Sequence, residues 1–263
     1  MDAVTTAGPT AGTASTWQVR WHPAPDARLR LFCLPHAGGG ALPYRSWAAA
    51  LAPDVEVVAI RLPGRESRFR ERPYTRLGDV VTALLGQLGS SLDRPYAVLG
   101  HSMGALIGYE LAQASRRLGL RPPARLLVSG RPAPDLPDRQ KPVHDAPTPR
   151  LVARLREMGG TPPEILADPA ALDSLLPLLR ADFAVAETYR YRGAPPLDCP
   201  VSVFGGADDP YARPADLEAW RRHTTAGCTV RVLTGGHFFL HEPDARLVPV
   251  IRADLDAGHD PAT

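Results

Sequence analysis

The chain has 263 residues, 44% hydrophobic and 22% charged, with a net charge of +2. That suits one large domain, with or without an inserted cap, and supplies a sizeable core. The charge bias is too weak to indicate nucleic acid, and no apolar run is long enough to span a bilayer. The first sixteen residues, MDAVTTAGPTAGTAST, are small and polar, with neither a basic leader nor an apolar stretch. They read as a disordered tail over 1–16 rather than a secretory signal, and a cytoplasmic location is expected. Cys33, Cys199 and Cys228 are odd in number, far apart and without zinc-site spacing. They read as reduced thiols, and nothing in the pattern calls for a metal or another cofactor.

In chain order, residues 17–21 and 28–34 are expected as early strands, and 55–60 as a strand ended by Leu62-Pro63-Gly64. Residues 77–88 have the spacing of an amphipathic helix. A short strand at 96–99 is followed by a helix at 105–118, and further strands are expected at 125–129, 201–204 and 229–233. This alternation predicts an α/β fold: a mostly parallel central sheet with helices on both faces. Residues 131–196 break the rhythm. Prolines cluster at 132–137, 162–163 and 195–196, around helical stretches at 149–158 and 170–191. The segment is longer than one crossover needs and reads as a helical lid insertion over the strand ends. The expected organisation is therefore a tail (1–16), a first core part (17–130), a lid (131–196) and a second core part (197–263).

The chemistry lies in Tyr96-Ala97-Val98-Leu99-Gly100-His101-Ser102-Met103-Gly104-Ala105. Here G-x-S-x-G directly follows an apolar strand and directly precedes a helix, the context of an α/β-hydrolase nucleophile turn. Ser102 is the expected nucleophile. A serine hydroxyl needs a base. Of eight histidines, His237 follows the last expected strand on a glycine-rich loop, Leu233-Thr234-Gly235-Gly236-His237. His241, slightly further on, is the competitor and reads better as a polar residue of the last helix. An acid must orient the base. The strand at 201–204 runs into Gly205-Gly206-Ala207-Asp208-Asp209-Pro210. Asp209 is preferred for its spacing from Gly206, with Asp208 as the alternative. The developing oxyanion needs two backbone donors. Met103, next after the nucleophile, is one. The other is expected at Ala37, in Leu34-Pro35-His36-Ala37-Gly38-Gly39-Gly40. A phosphate loop is the weaker reading of these glycines, since no G-K-[ST] follows.

Taken together, five segments resemble the type II thioesterases, the stand-alone editing enzymes of polyketide synthase and nonribosomal peptide synthetase pathways. They are Leu34-Pro35-His36-Ala37-Gly38-Gly39, Arg61-Leu62-Pro63-Gly64-Arg65-Glu66, Gly100-His101-Ser102-Met103-Gly104, Leu176-Pro177-Leu178-Leu179-Arg180-Ala181-Asp182-Phe183 and Gly235-Gly236-His237-Phe238-Phe239. The resemblance runs from about residue 31 to about residue 241. It implies a Ser102–His237–Asp209 triad, oxyanion donors at Ala37 and Met103, and a lid. It also implies a substrate: stalled or aberrant acyl groups on the phosphopantetheine arm of an acyl or peptidyl carrier protein. No further partner is expected, and the chain reads as a monomer.

Arg61, Arg65, Arg68, Arg70, Arg72 and Arg76 form a basic stretch relieved by Glu66 and Glu71. Arg65 and Arg68 are candidate contacts for an acidic carrier protein, the other reading being a solvated loop with local ion pairs. Lid residues Leu172, Leu175, Leu176, Leu178 and Leu179 could be core or could line an acyl channel. A carboxylesterase or acyltransferase on the same fold, or a catalytically inactive binding protein, are the competing functions. A fluorophosphonate separates the last of these. We expect it to label the wild-type chain at Ser102 and to leave Ser102→Ala unlabelled; an unlabelled wild type would favour the binding protein.

Overall fold

In a computed structural model, residues 16–241 and 247–257 are described. The expected tail lies outside them except for Thr16, as does His259; the His241 side chain is likewise not described. The elements are β1 (Gln18–Val19), β2 (Leu29–Leu34), α1 (Arg45–Leu51), β3 (Val55–Ile60), α2 (Leu77–Leu88), β4 (Tyr96–His101), α3 (Met103–Arg117) and β5 (Arg125–Ser129). They continue with α4 (Thr148–Met158), α5 (Pro163–Ala167), α6 (Pro169–Glu187), β6 (Val201–Gly206), α7 (Pro214–Glu218), β7 (Cys228–Leu233) and α8 (Leu247–Asp256).

The strands form one seven-stranded sheet in the order β1-β3-β2-β4-β5-β6-β7. Only the β1–β3 pair is antiparallel. The strand expected at 17–21 is reduced to two residues, paired at the edge with Ala59 and Ile60. Strand side chains alternate between two cores, as the two-residue repeat requires. Phe32, Leu34, Val58, Ile60, Val98 and Val128 face the core that includes residues of α2 and α3. Leu31, Cys33, Val57, Ala59, Leu99 and Leu127 face the other, with residues of α1 and α8. Strands buried on both faces read as unbroken apolar runs, which is why they were legible.

The strand order also sets the place of the site. The chain leaves β2 for β3 on one side and leaves β4 for β5 on the other. Their connections diverge, so a crevice opens beyond the carboxyl ends of these adjacent strands. The Pro35–Gly40 loop leaves β2 there, and Ser102 leaves β4.

The lid segment holds α4, α5 and α6. Helix α6 starts where Asp168 caps it, its carboxylate accepting from the N–H groups of Ala170 (2.9 Å) and Ala171 (3.3 Å), with Pro169 at the first helical position. Helix α4 ends at Gly159 in a left-handed conformation. Val143, Leu151, Leu155, Leu166, Leu176, Leu179 and Phe183 give the lid a hydrophobic cluster of its own.

The turn between β4 and α3 is tight. A Cβ on Gly100 would lie 2.0 Å from the Gly104 carbonyl oxygen, and one on Gly104 would lie 2.6 Å from the Leu34 oxygen. Both obstacles are backbone and cannot swing aside. Gly100→Ala should therefore cost about 3 kcal/mol or more. The urea midpoint should fall with little change in slope.

Candidate active site

Ser102 follows the last residue of β4 with φ 54° and ψ −111°, a left-handed conformation that non-glycine residues rarely adopt. Its amide donates to the Ser129 oxygen of neighbouring β5 at 2.8 Å, which helps hold the strained turn. Helix α3 begins at the next residue, so the Met103 N–H is among the four that a helix leaves without an internal acceptor. The dipole of a 15-residue helix adds positive potential at the same end.

Two other loops converge on this turn. The Ser102 hydroxyl lies 3.1 Å from His237 Nε2. His237 Nδ1 lies 2.8 Å from Asp209 Oδ2. A carboxylate only accepts, so Nδ1 carries the imidazole proton and Nε2 presents its lone pair to the hydroxyl. The second Asp209 oxygen accepts from the Tyr211 amide at 2.8 Å, so both carboxylate oxygens are engaged. His237 and Asp209 are 4% and 3% exposed, while Asp208 is on the surface. The Asp208 amide pairs with the Gly235 oxygen at 3.0 Å. That bond ties the acid loop to the histidine loop and leaves the Asp208 side chain outside.

The Ser102 turn opens on a cavity of about 1110 Å³. Ala37, Met103 and His237 line it with Ser102, and its far wall is built from lid side chains including Leu155, Met158, Leu179 and Phe183. Ala37 thus shares the cavity with the nucleophile, as expected for a loop leaving β2. Leu175, Leu178 and Leu179 line the cavity as well, whereas Leu176 belongs to the lid's own cluster with Leu172 against it.

Arg65 and Arg68 differ from expectation. Each is only 5% exposed. Arg65 bonds Asp182 at 2.8 Å and the Gly39 oxygen at 2.8 Å. Arg68 forms a two-pronged pair with Glu71, donates to the Arg61 oxygen at 2.9 Å and stacks over Trp17 at 4.1 Å. Their donors face inward to local acceptors rather than outward to a partner. The arginines left exposed are Arg70, Arg72 and Arg76.

Three further side chains belong to the site without having stood out in the sequence. The Tyr211 ring packs 5.4 Å from the His237 ring and lines the cavity. Its position two residues after Asp209 was the available signal. Arg131 follows β5 and lines the cavity, where burial lowers its pKa. Glu66, at φ 49°, accepts from the amides of Ala41 (2.7 Å) and Leu42 (3.2 Å) at the end of the glycine loop.

A parallel sheet with a strained serine turn, and a histidine and a carboxylate on later loops, defines an α/β-hydrolase. The thioesterase-domain family model matches residues 29–255. The gramicidin S biosynthesis protein GrsT of Aneurinibacillus migulanus is 40% identical over 232 residues, spanning 88% of this chain and 91% of that protein. Among solved structures, the RedJ thioesterase from the prodiginine pathway of Streptomyces coelicolor aligns with a TM-score of 0.83 at 38% identity, covering 96% of this chain and 97% of RedJ. The type II thioesterase BorB from the borrelidin cluster aligns with a TM-score of 0.84 at 38% identity, covering 92% and 99%. The chain belongs to the thioesterase family, and its class is that of a hydrolase acting on thioesters. Among the described residues, no helix is long and apolar enough to cross a membrane.

The two aspartates can be separated without any assay of turnover. A histidine Nδ1–H bonded to a buried carboxylate gives a low-field proton resonance. Asp209→Asn should abolish or strongly shift it, and Asp208→Asn should leave it in place.

Proposed function

We propose that the protein hydrolyses stalled or aberrant acyl thioesters on the phosphopantetheine arm of acyl or peptidyl carrier proteins. Ser102, His237 and Asp209 form the triad, and Ala37 and Met103 supply the oxyanion donors. The observation that carries this reading is the unbroken path from Ser102 Oγ through His237 to Asp209, at 3.1 Å and 2.8 Å, opening on the large cavity. Relatives named for gramicidin S, prodiginine and borrelidin biosynthesis support the pathway class.

In the first step Ser102 Oγ bonds to the thioester carbonyl carbon while its proton passes to His237 Nε2. The carbonyl oxygen gains negative charge and accepts from the Ala37 and Met103 amides. Collapse breaks the carbon–sulfur bond, and the thiol leaves with the proton from His237. A thiol with a pKa of about 8.5 leaves with little help. Water then attacks the acyl-serine, giving its proton to His237. The acid is released, and Ser102 Oγ recovers a proton. Asp209 stabilises the imidazolium in both steps without taking a proton.

The cavity suits an arm and its acyl group, being at or above the usual upper range for small-molecule pockets of about 1,000 Å³. Phe69, 64% exposed, lines it at the surface and is followed by the exposed Arg70 and Arg72. We place carrier docking there, in the part of the basic stretch that stays in solvent. Charges at the rim of a contact act mainly on encounter.

Kinetics with two substrates test both parts. Ser102→Ala should abolish hydrolysis of acyl-carrier protein and of a small acyl thioester alike, and Asp209→Asn should lower kcat by about 10⁴-fold. The double variant Arg70→Glu/Arg72→Glu should lower kcat/KM on acyl-carrier protein about tenfold and leave the small thioester within twofold. Equal loss on both would reject this docking face. Faster turnover of p-nitrophenyl esters than of acyl-carrier protein by the wild type would favour a carboxylesterase.

A further inference from the structure

We propose that Asp182, on lid helix α6, is a positioning residue for the reaction: paired with Arg65, it fixes the turn that carries the Ala37 amide. The inference rests on the assignment of Ser102 as nucleophile and Ala37 as oxyanion donor, and adds a residue from a different part of the chain.

The turn spans residues 36–39, with the Gly39 amide donating to the His36 oxygen at 3.0 Å. Gly38, its third residue, has φ 76°, the value of a type II turn. Types I and II differ in which way the central peptide faces, and here that peptide joins Ala37 to Gly38. Its N–H donates to Asp182 Oδ2 at 2.7 Å. Asp182 Oδ1 accepts from Arg65 Nη2 at 2.8 Å, and Arg65 Nη1 donates to the Gly39 oxygen at 2.8 Å. One ion pair thus holds the Ala37–Gly38 and Gly39–Gly40 peptides, on either side of the one that closes the turn, and both side chains are buried, at 4% and 3% exposure. Leu179, one helical turn before Asp182, closes on the same spot: a Cβ on Gly38 would lie 2.7 Å from Leu179 Cδ2.

The central peptide is the neighbour of the amide that meets the oxyanion. A flip would turn the Ala37 carbonyl toward the Asp182 carboxylate and change ψ of Ala37, loosening the residue whose own N–H meets the oxyanion. The bond to a charged acceptor holds it against that flip. Burial pushes the Asp182 carboxyl up, while the Arg65 guanidinium and the Gly38 amide pull it back toward the ionised form. An asparagine of the same shape cannot substitute. It has one acceptor and one donor group, so it must point a donor at either the Gly38 N–H or the Arg65 guanidinium.

Hydrolysis of a short acyl thioester of N-acetylcysteamine should be measured for wild type, Ser102→Ala, Asp182→Asn and Arg65→Lys, each with a thermal melt. Asp182→Asn should lower kcat 10- to 100-fold with KM within twofold, somewhat less than outright loss of an oxyanion donor. Its affinity for a trifluoromethyl ketone analogue, which forms a tetrahedral adduct on serine, should fall by a similar factor. Its affinity for an inert thioether analogue should not change. Arg65→Lys keeps the charge but loses the fork, and should show a smaller loss with the same pattern. A folded Asp182→Asn enzyme with kcat within twofold of wild type, or a loss confined to KM, would overturn the proposal. If Asp182→Asn does not fold, Arg65→Lys is judged by the same two criteria. Activity remaining in Ser102→Ala would instead overturn the nucleophile assignment, a separate outcome.

Discussion

The site depends on how closely β4 passes the start of α3. The Gly104 carbonyl occupies the space that a Cβ on Gly100 would need, and the Leu34 carbonyl of β2 sits against Gly104 in turn. This contact forces the chain to reverse within one residue, and that residue, Ser102, takes up the strain as a positive φ. A second contact of the same kind aligns the partners. A Cβ on Gly206 would lie 2.3 Å from the Gly236 oxygen and 2.4 Å from the Gly235 oxygen. The loops after β6 and β7 can therefore lie against each other, bound by the Ala207–Leu233 and Asp208–Gly235 backbone bonds. Asp209 and His237 emerge from those two loops, so their 2.8 Å contact follows from backbone packing as much as from side-chain attraction.

This explains which parts of the site were legible in the sequence. Ser102, Asp209 and His237 each follow an apolar strand and a glycine, so local pattern and strand order identify them. The Gly206 spacing favours Asp209 over Asp208, and it is Asp209 that lies 2.8 Å from His237 Nδ1 while the Asp208 side chain faces solvent. The buried strands were legible for a similar reason, since a fully apolar run has few alternatives. Edge strand β1, with two residues and no such run, was overread. Helix α1 carries no distinct signal, α5 is too short to show a period, and the last helix begins at Leu247, beyond the short turn Phe239–His241 where it was expected to include His241.

Arg65 shows where sequence reading stops. Six arginines within sixteen residues look like a surface feature, and charge content alone does not reveal burial. What buries Arg65 is Asp182, 117 residues away on the lid. Both residues sit in segments that resemble the family pattern, but no local signal connects them. The ion pair exists only once the lid has folded over the loop. Arg68 is subtler. Its partners Glu71, Arg61 and Trp17 include near neighbours, yet its burial depends on the Trp17 ring, brought alongside by the pairing of β1 with β3.

Helix α6 consequently has two jobs. Arg180 donates to the oxygens of His144 and Ala146 at 2.9 Å and 2.7 Å, and to the Thr148 hydroxyl at 3.1 Å. Glu187 accepts from the Val143 and His144 amides at 3.0 Å and from the His144 ring at 2.7 Å. These two residues pin the loop that leads into α4, and so organise the lid. Asp182, between them, reaches instead to the loop beside Ser102. The same rigid element therefore fixes the roof of the cavity and touches its floor. Swinging α6 away as a unit would strip Gly38 of its acceptor and break the buried Arg65–Asp182 ion pair. Helices α4 and α5 pack instead within the lid's own cluster, and α4 reaches the acid loop by laying Arg154 over the Tyr211 ring at 5.3 Å.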